Sequence, residues 1–283
     1  MQRLRILLVL ARASNLPTVW SNCLAGWVLG GGTDWVTFFW LCFGATFLYA
    51  GGMFLNDAFD ADFDRQHRSE RPIPSGRITT GEVWLFGFGW LALGLAAAAP
   101  ISRVTAILAL LLMTSILIYN AIHKVVTFAP VVMALCRFLL YLMAASAGYN
   151  GVTGRAVWSA LAIACYIVGL SYLARRESTR GPLAYWPLIF LAAPLILALL
   201  VHGARYPKEA MALGSLLVLW VGWCLRHVLS EPTRNIGYTV SGLLAGIVLV
   251  DFLAVGVETL ELSAAFLILF ALARLFQRFI PAT

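Results

Sequence analysis

The stretch LNDAFDADFDRQHRSERPIP, residues 55–74, concentrates acidic and basic side chains in an otherwise apolar chain. Asn56, Asp60 and Asp64 are spaced four residues apart, so on a helix they would share one stripe, and Asp62 would point elsewhere. Two ionised carboxylates one turn apart repel each other unless a cation lies between them. Their oxygens suit Mg²⁺, which proteins often bind through one or two carboxylates together with substrate phosphates. A solvated loop in which Asp and Arg side chains simply pair is the alternative interpretation of this spacing.

The basic half of the same stretch indicates what such a metal would accompany. Arg68 and Arg71 follow the acidic residues, and the prolines after Arg71 would end any helix there. Arginine binds phosphate oxygens through a bidentate fork, so Mg²⁺ ligands beside arginines are what a magnesium diphosphate requires. Asp57 is predicted to lie on a neighbouring face of the helix, outside the metal-binding stripe.

The elements that must position these residues are membrane-spanning helices. Of the 283 residues 61% are hydrophobic and 12% are charged, whereas about a quarter are charged in ordinary globular domains. Apolar runs long enough to cross about 30 Å of hydrocarbon recur along the chain. We therefore predict an all-α polytopic membrane protein, a single domain over residues 1–283 with nine to ten spans. The spans are expected at roughly 15–31, 35–54, 82–100, 103–121, 127–148, 156–174, 186–202, 209–226, 237–256 and 260–279.

The distribution of Lys and Arg predicts the orientation of these spans. If the N-terminus is cytoplasmic, fifteen Lys and Arg residues fall on the cytoplasmic side and four fall outside, in agreement with the positive-inside rule. The net charge of +7 is then interpreted as favouring contact with the anionic lipids of the inner leaflet, and no nucleic-acid partner is predicted. We expect a multi-pass protein of a bacterial inner membrane, with loops 55–81, 120–128 and 175–184 meeting over one cytoplasmic mouth.

Four segments carry recognisable motifs. NDAFDADFD, from Asn56 to Asp64, has the form N-D-x-x-D-x-x-x-D, and RSERPIPSG, from Arg68, has the form R-x-x-R-P-hydrophobic-x-S-G. RASNLPTVW, from Arg12, has the arrangement of a first membrane helix, and YNAIHK is a Tyr-x-x-x-x-Lys element. In these motifs the chain resembles the UbiA superfamily of intramembrane prenyltransferases, most strongly in the first of them.

The resemblance implies a helical bundle around a lipid-open cavity, in which Mg²⁺ assists transfer of a prenyl group from a prenyl diphosphate to a small, often aromatic acceptor. The implied metal ligands are Asn56, Asp60 and Asp64. The residues implied for the diphosphate are Arg12, Arg68 and Lys124. Tyr119 would face the developing allylic cation. The implied catalytic residues are Asp60, Asp64, Tyr119 and Lys124.

One segment departs from the resemblance. Where the family has a second aspartate-rich motif, this chain reads SYLARRESTRG, with Arg176 and Arg180 at the aspartate positions. A second Mg²⁺ ion is therefore not expected, and these arginines would instead bind the diphosphate directly. The alternative is that they only anchor the loop on the positive, cytoplasmic side of the membrane.

Three polar residues, Asn22, Arg137 and Asp251, fall within predicted spans, where polar groups are costly and commonly functional. We assign Asn22 and Arg137 to the cavity wall, as further diphosphate-binding residues. The alternatives are that Arg137 pairs with Asp251 for purely structural reasons, or that it extends towards the membrane surface.

Two classes of function remain open at this point. The intact first motif favours a Mg²⁺-dependent prenyltransferase that acts on a prenyl diphosphate and a small acceptor, typically aromatic, within the bilayer. The altered second motif favours a UbiA-like membrane protein that has changed catalytically and binds or transports a lipid or a prenylated precursor. Consumption of a prenyl diphosphate in the presence of Mg²⁺ would distinguish the two.

The predicted orientation can be tested by cysteine labelling, because the five native cysteines all lie in apolar spans. In a variant lacking those cysteines, Gln66→Cys should react with a membrane-impermeant maleimide only from the cytoplasmic side. Val152→Cys should react only from the outside. Reversed accessibility at the two positions would overturn both the orientation and the common location of the three loops.

Overall fold

The computed structural model describes residues 2–175, 186–201, 207–229 and 235–282, which are helical with short connections and contain no strand. The predicted all-α class is therefore confirmed. The first seven helices are α1 Gln2–Leu10, α2 Leu16–Leu29, α3 Trp35–Phe59, α4 Ala61–His67, α5 Thr80–Ala98, α6 Arg103–Ile122 and α7 Ala129–Ala145. The later helices are α8 Gly154–Arg175, α9 Ala193–Val201, α10 Pro207–Leu229, α11 Ile236–Val255 and α12 Leu260–Phe276. Short 3₁₀ segments precede α2 and α9, at Ala13–Asn15 and Trp186–Ala192.

The predicted spans coincide with helices to within a few residues at each end. The span expected at 186–202 is a 3₁₀ segment that continues into α9, and the last two spans are the separate helices α11 and α12. By length and apolar composition, six helices of the described residues can cross a membrane. They are Trp35–Phe59, Thr80–Ala98, Arg103–Ile122, Gly154–Arg175, Lys208–Val228 and Ile236–Val255. These six and the shorter apolar helices form the predicted helical bundle.

The helix ends are fixed by side chains that bind the unpaired backbone groups there. Both Asp34 carboxylate oxygens accept hydrogen bonds of 3.1 Å at the start of α3, from the backbone N–H groups of Val36 and Thr37. Thr79 and Glu82 form a reciprocal capping box at the start of α5. Such caps matter at a membrane boundary, because an unsatisfied backbone group near hydrocarbon costs several kcal/mol.

Helices α3 and α5 pack closely through glycines. A Cβ atom at Gly94 would lie 2.7 Å from the backbone nitrogen of Leu48 and 2.8 Å from the carbonyl oxygen of Gly44. A Cβ atom at Gly51 would lie 2.8 Å from the carbonyl oxygen of Gly87. Small residues let membrane helices approach backbone to backbone, where packing rather than the hydrophobic effect holds them together. Helix α3 is thereby held firmly along its length, up to the polar residues at its C-terminal end.

The polar stretch at that end is bent rather than one straight helix. Helix α3 ends at Phe59 and α4 begins at Ala61, with Asp60 between them. The backbone N–H of Asp60 still donates to the Asn56 carbonyl, and that of Asp64 to the Asp60 carbonyl. The four-residue register predicted for these side chains is therefore kept through the bend. Helix α4 ends at His67, four residues before Arg71, where the following prolines were predicted to end any helix.

The close contact between α3 and α5 predicts that Gly94→Ala destabilises the protein. The added methyl group would meet backbone atoms that cannot rotate away, and overpacking of this kind typically costs about 1–3 kcal/mol. Gly89→Ala is the matched control, because nothing lies within 4 Å of a Cβ atom at Gly89 on the same helix. Thermal unfolding of both variants in the same detergent should show a lower midpoint for Gly94→Ala alone. Equal midpoints would refute the close approach.

Candidate functional site

The acidic residues at the end of α3 and along α4 form a compact, buried group. The side chains of Asn56, Asp57, Asp60 and Asp64 are all buried. Asp62, in contrast, is 92% exposed and pairs with Arg65 in the same helix. The sequence-based separation of Asp62 from the stripe therefore agrees with its position. We call the four buried side chains the acidic cluster, and the end of the bundle where they lie the mouth.

Arg71 joins two members of the acidic cluster. Its Nη1 lies 3.2 Å from Oδ1 of Asp57 and 2.9 Å from Oδ2 of Asp64. All three side chains are at least four-fifths buried, so water screens the pairs only weakly. Asp57 was predicted to lie on a neighbouring helix face, outside the stripe, and in the structure Arg71 joins it to Asp64. The spacing contains the missing signal, because residues 57 and 64 are seven apart and share a helix face.

Arg12 approaches the acidic cluster from the turn before α2. Its Nη2 donates to Oδ1 of Asn56 over 3.1 Å and lies 3.6 Å from Oδ1 of Asp57. The backbone of Arg12 is left-handed, with φ 44°, and no other non-glycine among the described residues has a positive φ. A left-handed non-glycine typically costs about 1–3 kcal/mol, and such strain is often found at functional sites. The predicted role of Arg12 at the site is consistent with this position.

The segment after α6 contributes two basic side chains on another side of the acidic cluster. Nε2 of His123 lies 3.1 Å from Oδ1 of Asp60, and Nζ of Lys124 lies 3.1 Å from Oδ2. Lys124 Nζ also lies 3.7 Å from the centre of the Phe63 ring, within cation–π range. Burial acts to raise the pKa of the Asp60 carboxyl, but the hydrogen bonds and charges of His123 and Lys124 outweigh it and hold that pKa below its ordinary value. The sequence analysis did not place His123 among the site residues and so missed this contact.

Tyr119 lies one turn before His123 at the end of α6. The two rings stack with their centroids 5.2 Å apart and an interplanar angle of 24°. The next residue, Asn120, accepts a 3.2 Å hydrogen bond from Nδ2 of Asn56 and donates one of 3.0 Å to the Gly52 carbonyl. These bonds fix the end of α6 against α3, and so place Tyr119 and Lys124 relative to the acidic cluster.

The donor atoms of the acidic cluster suit a hard divalent cation. Oδ1 of Asp64 is buried and has no hydrogen-bond partner within the described part of the chain, which leaves a carboxylate oxygen available for a ligand. Carboxylate and amide oxygens are the donors that Mg²⁺ takes in proteins. In the described segments no group of three His, Cys, Asp or Glu side chains is arranged to hold a metal ion by itself, so the substrate phosphates would have to complete the coordination. The oxygens of Asn56, Asp60 and Asp64 therefore fit Mg²⁺ by chemistry, with basic side chains holding two of the carboxylates.

The polar residues within the spans form a separate network. Nη1 of Arg137 donates to Oδ1 of Asn22 over 2.7 Å, and Nδ2 of Asn22 donates to Oδ2 of Asp251 over 2.8 Å. Arg137 also donates to the carbonyl and hydroxyl oxygens of Thr18. The network thus links α2, α7 and α11 inside the bundle, with both ends of the Asn22 amide bonded. Diphosphate binding by Asn22 and Arg137 stays a prediction beside this structural role.

The arginine-rich segment after α8 lies largely beyond the described residues. Arg176 and Arg180, predicted to bind the diphosphate, fall outside them. Arg175, the last residue of α8, donates hydrogen bonds to the carbonyl oxygens of Val126 over 3.1 Å and Thr127 over 2.7 Å. The end of α8 is therefore tied to the segment that carries His123 and Lys124. Arg68 lines the rim of a cavity at the mouth.

Comparison with known proteins agrees with this arrangement. The model of the UbiA prenyltransferase family matches residues 14–235. A digeranylgeranylglyceryl phosphate synthase of Methanopyrus kandleri is 40% identical over 75 residues, which are 26% of this chain and 27% of that protein. A 4-hydroxybenzoate octaprenyltransferase of Cupriavidus metallidurans is 34% identical over 123 residues, 42% of this chain and 36% of that protein. The chain thus spans only about a quarter to a little over a third of the length of these curated relatives.

Solved structures match over nearly the whole chain. A UbiA homologue from Archaeoglobus fulgidus bound to GPP and Mg²⁺ has a TM-score of 0.68 at 17% identity, covering 94% of this chain and 99% of that one. The apo structure of a UbiA homologue from Aeropyrum pernix K1 has a TM-score of 0.69 at 16% identity, covering 86% and 96%. At these identities the two structures show a shared fold.

The position of Arg71 predicts that Arg71→Gln destabilises the mouth. Without the guanidinium, the buried carboxylates of Asp57 in α3 and Asp64 in α4 lose the cation that they share. Breaking a buried ion pair costs roughly 3 kcal/mol or more. Arg65→Gln is the control, because the Arg65–Asp62 pair is exposed and such pairs contribute about 0–1 kcal/mol. Hydrogen exchange of residues 57–75 in detergent should accelerate in Arg71→Gln and stay near native in Arg65→Gln. Hydrogen exchange at the native rate in both variants would show that Arg71 does not stabilise the mouth.

Proposed function

Because this chain belongs to the UbiA prenyltransferase family, we propose that it transfers a prenyl group from a prenyl diphosphate to a small acceptor at the cytoplasmic mouth of its bundle. The observation that carries the proposal is the acidic cluster, which meets Arg12 on one side and Lys124 on the other. Oxygen donors for a cation beside cations for phosphate are the set that a metal-bound diphosphate needs.

The proposed roles follow the contacts at the mouth. Asn56, Asp60 and Asp64 would hold Mg²⁺, which when bound offsets the charge that grows on the diphosphate as the allylic C–O bond breaks. Lys124 is 40% exposed and bonded to Asp60 from outside the cluster, so it can reach a diphosphate without leaving the mouth. Tyr119 would turn the face of its ring to the allylic cation, because aromatic faces attract cations.

Four further arginines complete the proposed diphosphate site. Arg12 is held at the acidic cluster by its hydrogen bond to Asn56 and its contact with Asp57. Arg68 begins the turn that follows α4, at the rim of the mouth. Arg176 and Arg180 would take the place of a second metal, since guanidinium and Mg²⁺ both neutralise phosphate oxygens. An aromatic compound is the first acceptor to test.

A catalytically altered lipid-binding protein is the second candidate. The replacement of aspartates by Arg176 and Arg180 in SYLARRESTRG favours it, because a UbiA-like protein without its second acidic motif has lost one place for a metal. On this candidate, the native protein binds a prenyl diphosphate or a prenylated lipid but leaves it unchanged. Chromatography of the lipids after incubation separates the two candidates directly.

The prenyltransferase proposal predicts that Asp60→Asn and Asp64→Asn each lower turnover about a hundredfold or more. The amide keeps the shape of the side chain but removes the charge that would hold Mg²⁺. Asp62→Asn should stay within about twofold, because Asp62 is exposed and points away from the cluster. Transfer from radiolabelled geranyl diphosphate to 4-hydroxybenzoate, in proteoliposomes with Mg²⁺, measures all three. Equal losses at Asp60 and Asp62 would contradict the assignment of the site.

A further inference from the structure

The turn that carries Arg12 is held from inside the bundle as well as at the mouth. Arg12 has a left-handed backbone, with φ 44°, which a non-glycine residue keeps only where its surroundings hold it. Its carbonyl oxygen accepts a 3.0 Å hydrogen bond from the backbone N–H of Asn15. The carbonyl oxygen of Asn15 in turn accepts one of 2.7 Å from the hydroxyl of Thr18, in the first turn of α2. The conformation of Arg12 therefore depends on where Thr18 lies.

A buried guanidinium fixes the position of Thr18. Nη2 of Arg137 donates to the Thr18 hydroxyl over 3.1 Å, and Nη1 donates to the Thr18 carbonyl over 3.2 Å. Arg137 is itself held by Asn22, whose amide bridges it to Asp251 through bonds of 2.7 and 2.8 Å. Thr18, Asn22 and Asp251 are completely buried, and the guanidinium that joins them is nearly so. Water therefore competes little for these bonds, and hydrogen bonds are stronger in such surroundings than in water.

A second contact reaches Arg12 from the same guanidinium. The Cζ atom of Arg137 lies 5.9 Å from the centre of the Tyr49 ring, within cation–π range. The Tyr49 hydroxyl donates over 3.5 Å to the carbonyl oxygen of Arg12, the same oxygen that closes the turn. Two short chains of contacts thus run from Arg137 in the core to the backbone of Arg12. The side chain of Arg12 extends from that backbone to the acidic cluster.

We propose that Arg137 and Thr18 are positioning residues for the diphosphate, which act by holding the guanidinium of Arg12 at the acidic cluster. The inference rests on the proposed function, because Arg12 is one of the residues proposed to bind the diphosphate. Nη1 of Arg137 already donates to two oxygens, those of Thr18 and Asn22, which leaves it no proton for a substrate. The contacts therefore favour an indirect effect of Arg137 over the direct diphosphate contact predicted from the sequence.

Thr18→Val tests the proposal, because valine has nearly the same shape as threonine but no hydroxyl. The measurement is the affinity for inorganic diphosphate with Mg²⁺, titrated calorimetrically into the full-chain protein in nanodiscs. We expect Thr18→Val to bind it about tenfold more weakly, since a charge-assisted bond from Arg12 is worth roughly tenfold to a hundredfold in affinity. Thr18→Ser, which restores a hydroxyl, should bind within about threefold of the native protein. Native affinity in Thr18→Val would overturn the proposal.

An Arg12→Gln background separates positioning from direct contact. If Thr18 acts only through Arg12, its replacement should change the diphosphate affinity by less than about twofold once the guanidinium is gone. The comparison is therefore between Arg12→Gln and the double variant Arg12→Gln/Thr18→Val. A loss of affinity on Thr18→Val that is the same in both backgrounds would mean that Thr18 does not act through Arg12, and would overturn the proposal.

Thr239→Val is the matched control for the loss of a buried hydroxyl. Thr239 is also completely buried, and its hydroxyl donates to the backbone carbonyls of Cys224 and Asn235, where α10 meets α11. Its replacement should lower the thermal midpoint comparably to Thr18→Val but leave the diphosphate affinity within about twofold. An equal loss of affinity in Thr239→Val would attribute the effect to general destabilisation and would overturn the positioning role.

Hydrogen exchange shows whether the turn itself responds. In Thr18→Val, without any ligand, the backbone N–H groups of residues 12–16 should exchange faster than in the native protein. The same groups should exchange at the native rate in Thr239→Val. Unchanged exchange in Thr18→Val would mean that Thr18 does not hold the turn, and would overturn the proposal.

Tyr49→Phe is the second variant, should Thr18→Val fail to fold. It removes only the hydroxyl that reaches the Arg12 carbonyl. It should weaken diphosphate binding in the native background and leave it unchanged in Arg12→Gln. Equal losses in the two backgrounds would count against positioning in the same way.

Binding and turnover separate this inference from the proposed function. If prenyl transfer fails while Thr18→Val still weakens diphosphate binding through Arg12, only the transferase proposal is wrong. If prenyl transfer proceeds and Thr18 and Arg12 show no coupling, only the positioning role is wrong. Absence of diphosphate binding to the native protein would overturn both.

Discussion

The mouth of this protein depends on the neutralisation of carboxylates that are almost out of contact with water. Asp57, Asp60 and Asp64 lie within two helical turns of one another at the end of a membrane helix. Because the dielectric constant of a buried site is low, the mutual repulsion of these carboxylates would be large, and an unpaired buried charge costs several kcal/mol. Arg71, Arg12 and Lys124 supply the opposing charge from three separate parts of the chain, and His123 approaches Asp60 beside Lys124. The basic residues thus hold the bend between α3 and α4 together before any substrate arrives.

This dependence also explains why the exposed cations and the buried ones differ in what they can do. Arg71 is largely buried between two carboxylates and belongs to the framework. Lys124 is bonded to Asp60 but much more exposed, so an incoming anion can compete for it. A site that already contains its own counter-ions exchanges one ionic partner for another when a charged ligand binds, and so avoids exposing bare charge to the membrane.

The sequence predicted the bundle well, because the bilayer imposes one strong rule: each span needs an apolar helix of sufficient length. It also predicted that Asn56, Asp60 and Asp64 share one stripe and that Asp62 points outward, since both follow from helical periodicity. It missed Asp57 and His123. The seven-residue spacing of Asp57 and Asp64 is a local signal that the sequence analysis did not use. Asp60 and His123 lie on separate elements far apart in sequence, and no local pattern encodes their contact. The break at Asp60 was missed for a similar reason, because no proline or glycine marks it.

Helices α2, α7 and α11 are joined by the Arg137–Asn22–Asp251 network, whose members are at least nine-tenths buried. The segment after α12 also contacts the turn before α2: Nδ2 of Asn15, three residues after Arg12, donates to the carbonyl oxygen of Ala282 over 2.9 Å. This meeting has a practical meaning for handling the protein. A purification tag or fluorescent partner joined after residue 282 would begin beside the turn that holds Arg12, and could press on it. A label placed in the connection between α7 and α8 would lie at the ends of these two helices that are far from the mouth. It would therefore not contact the turn that carries Arg12.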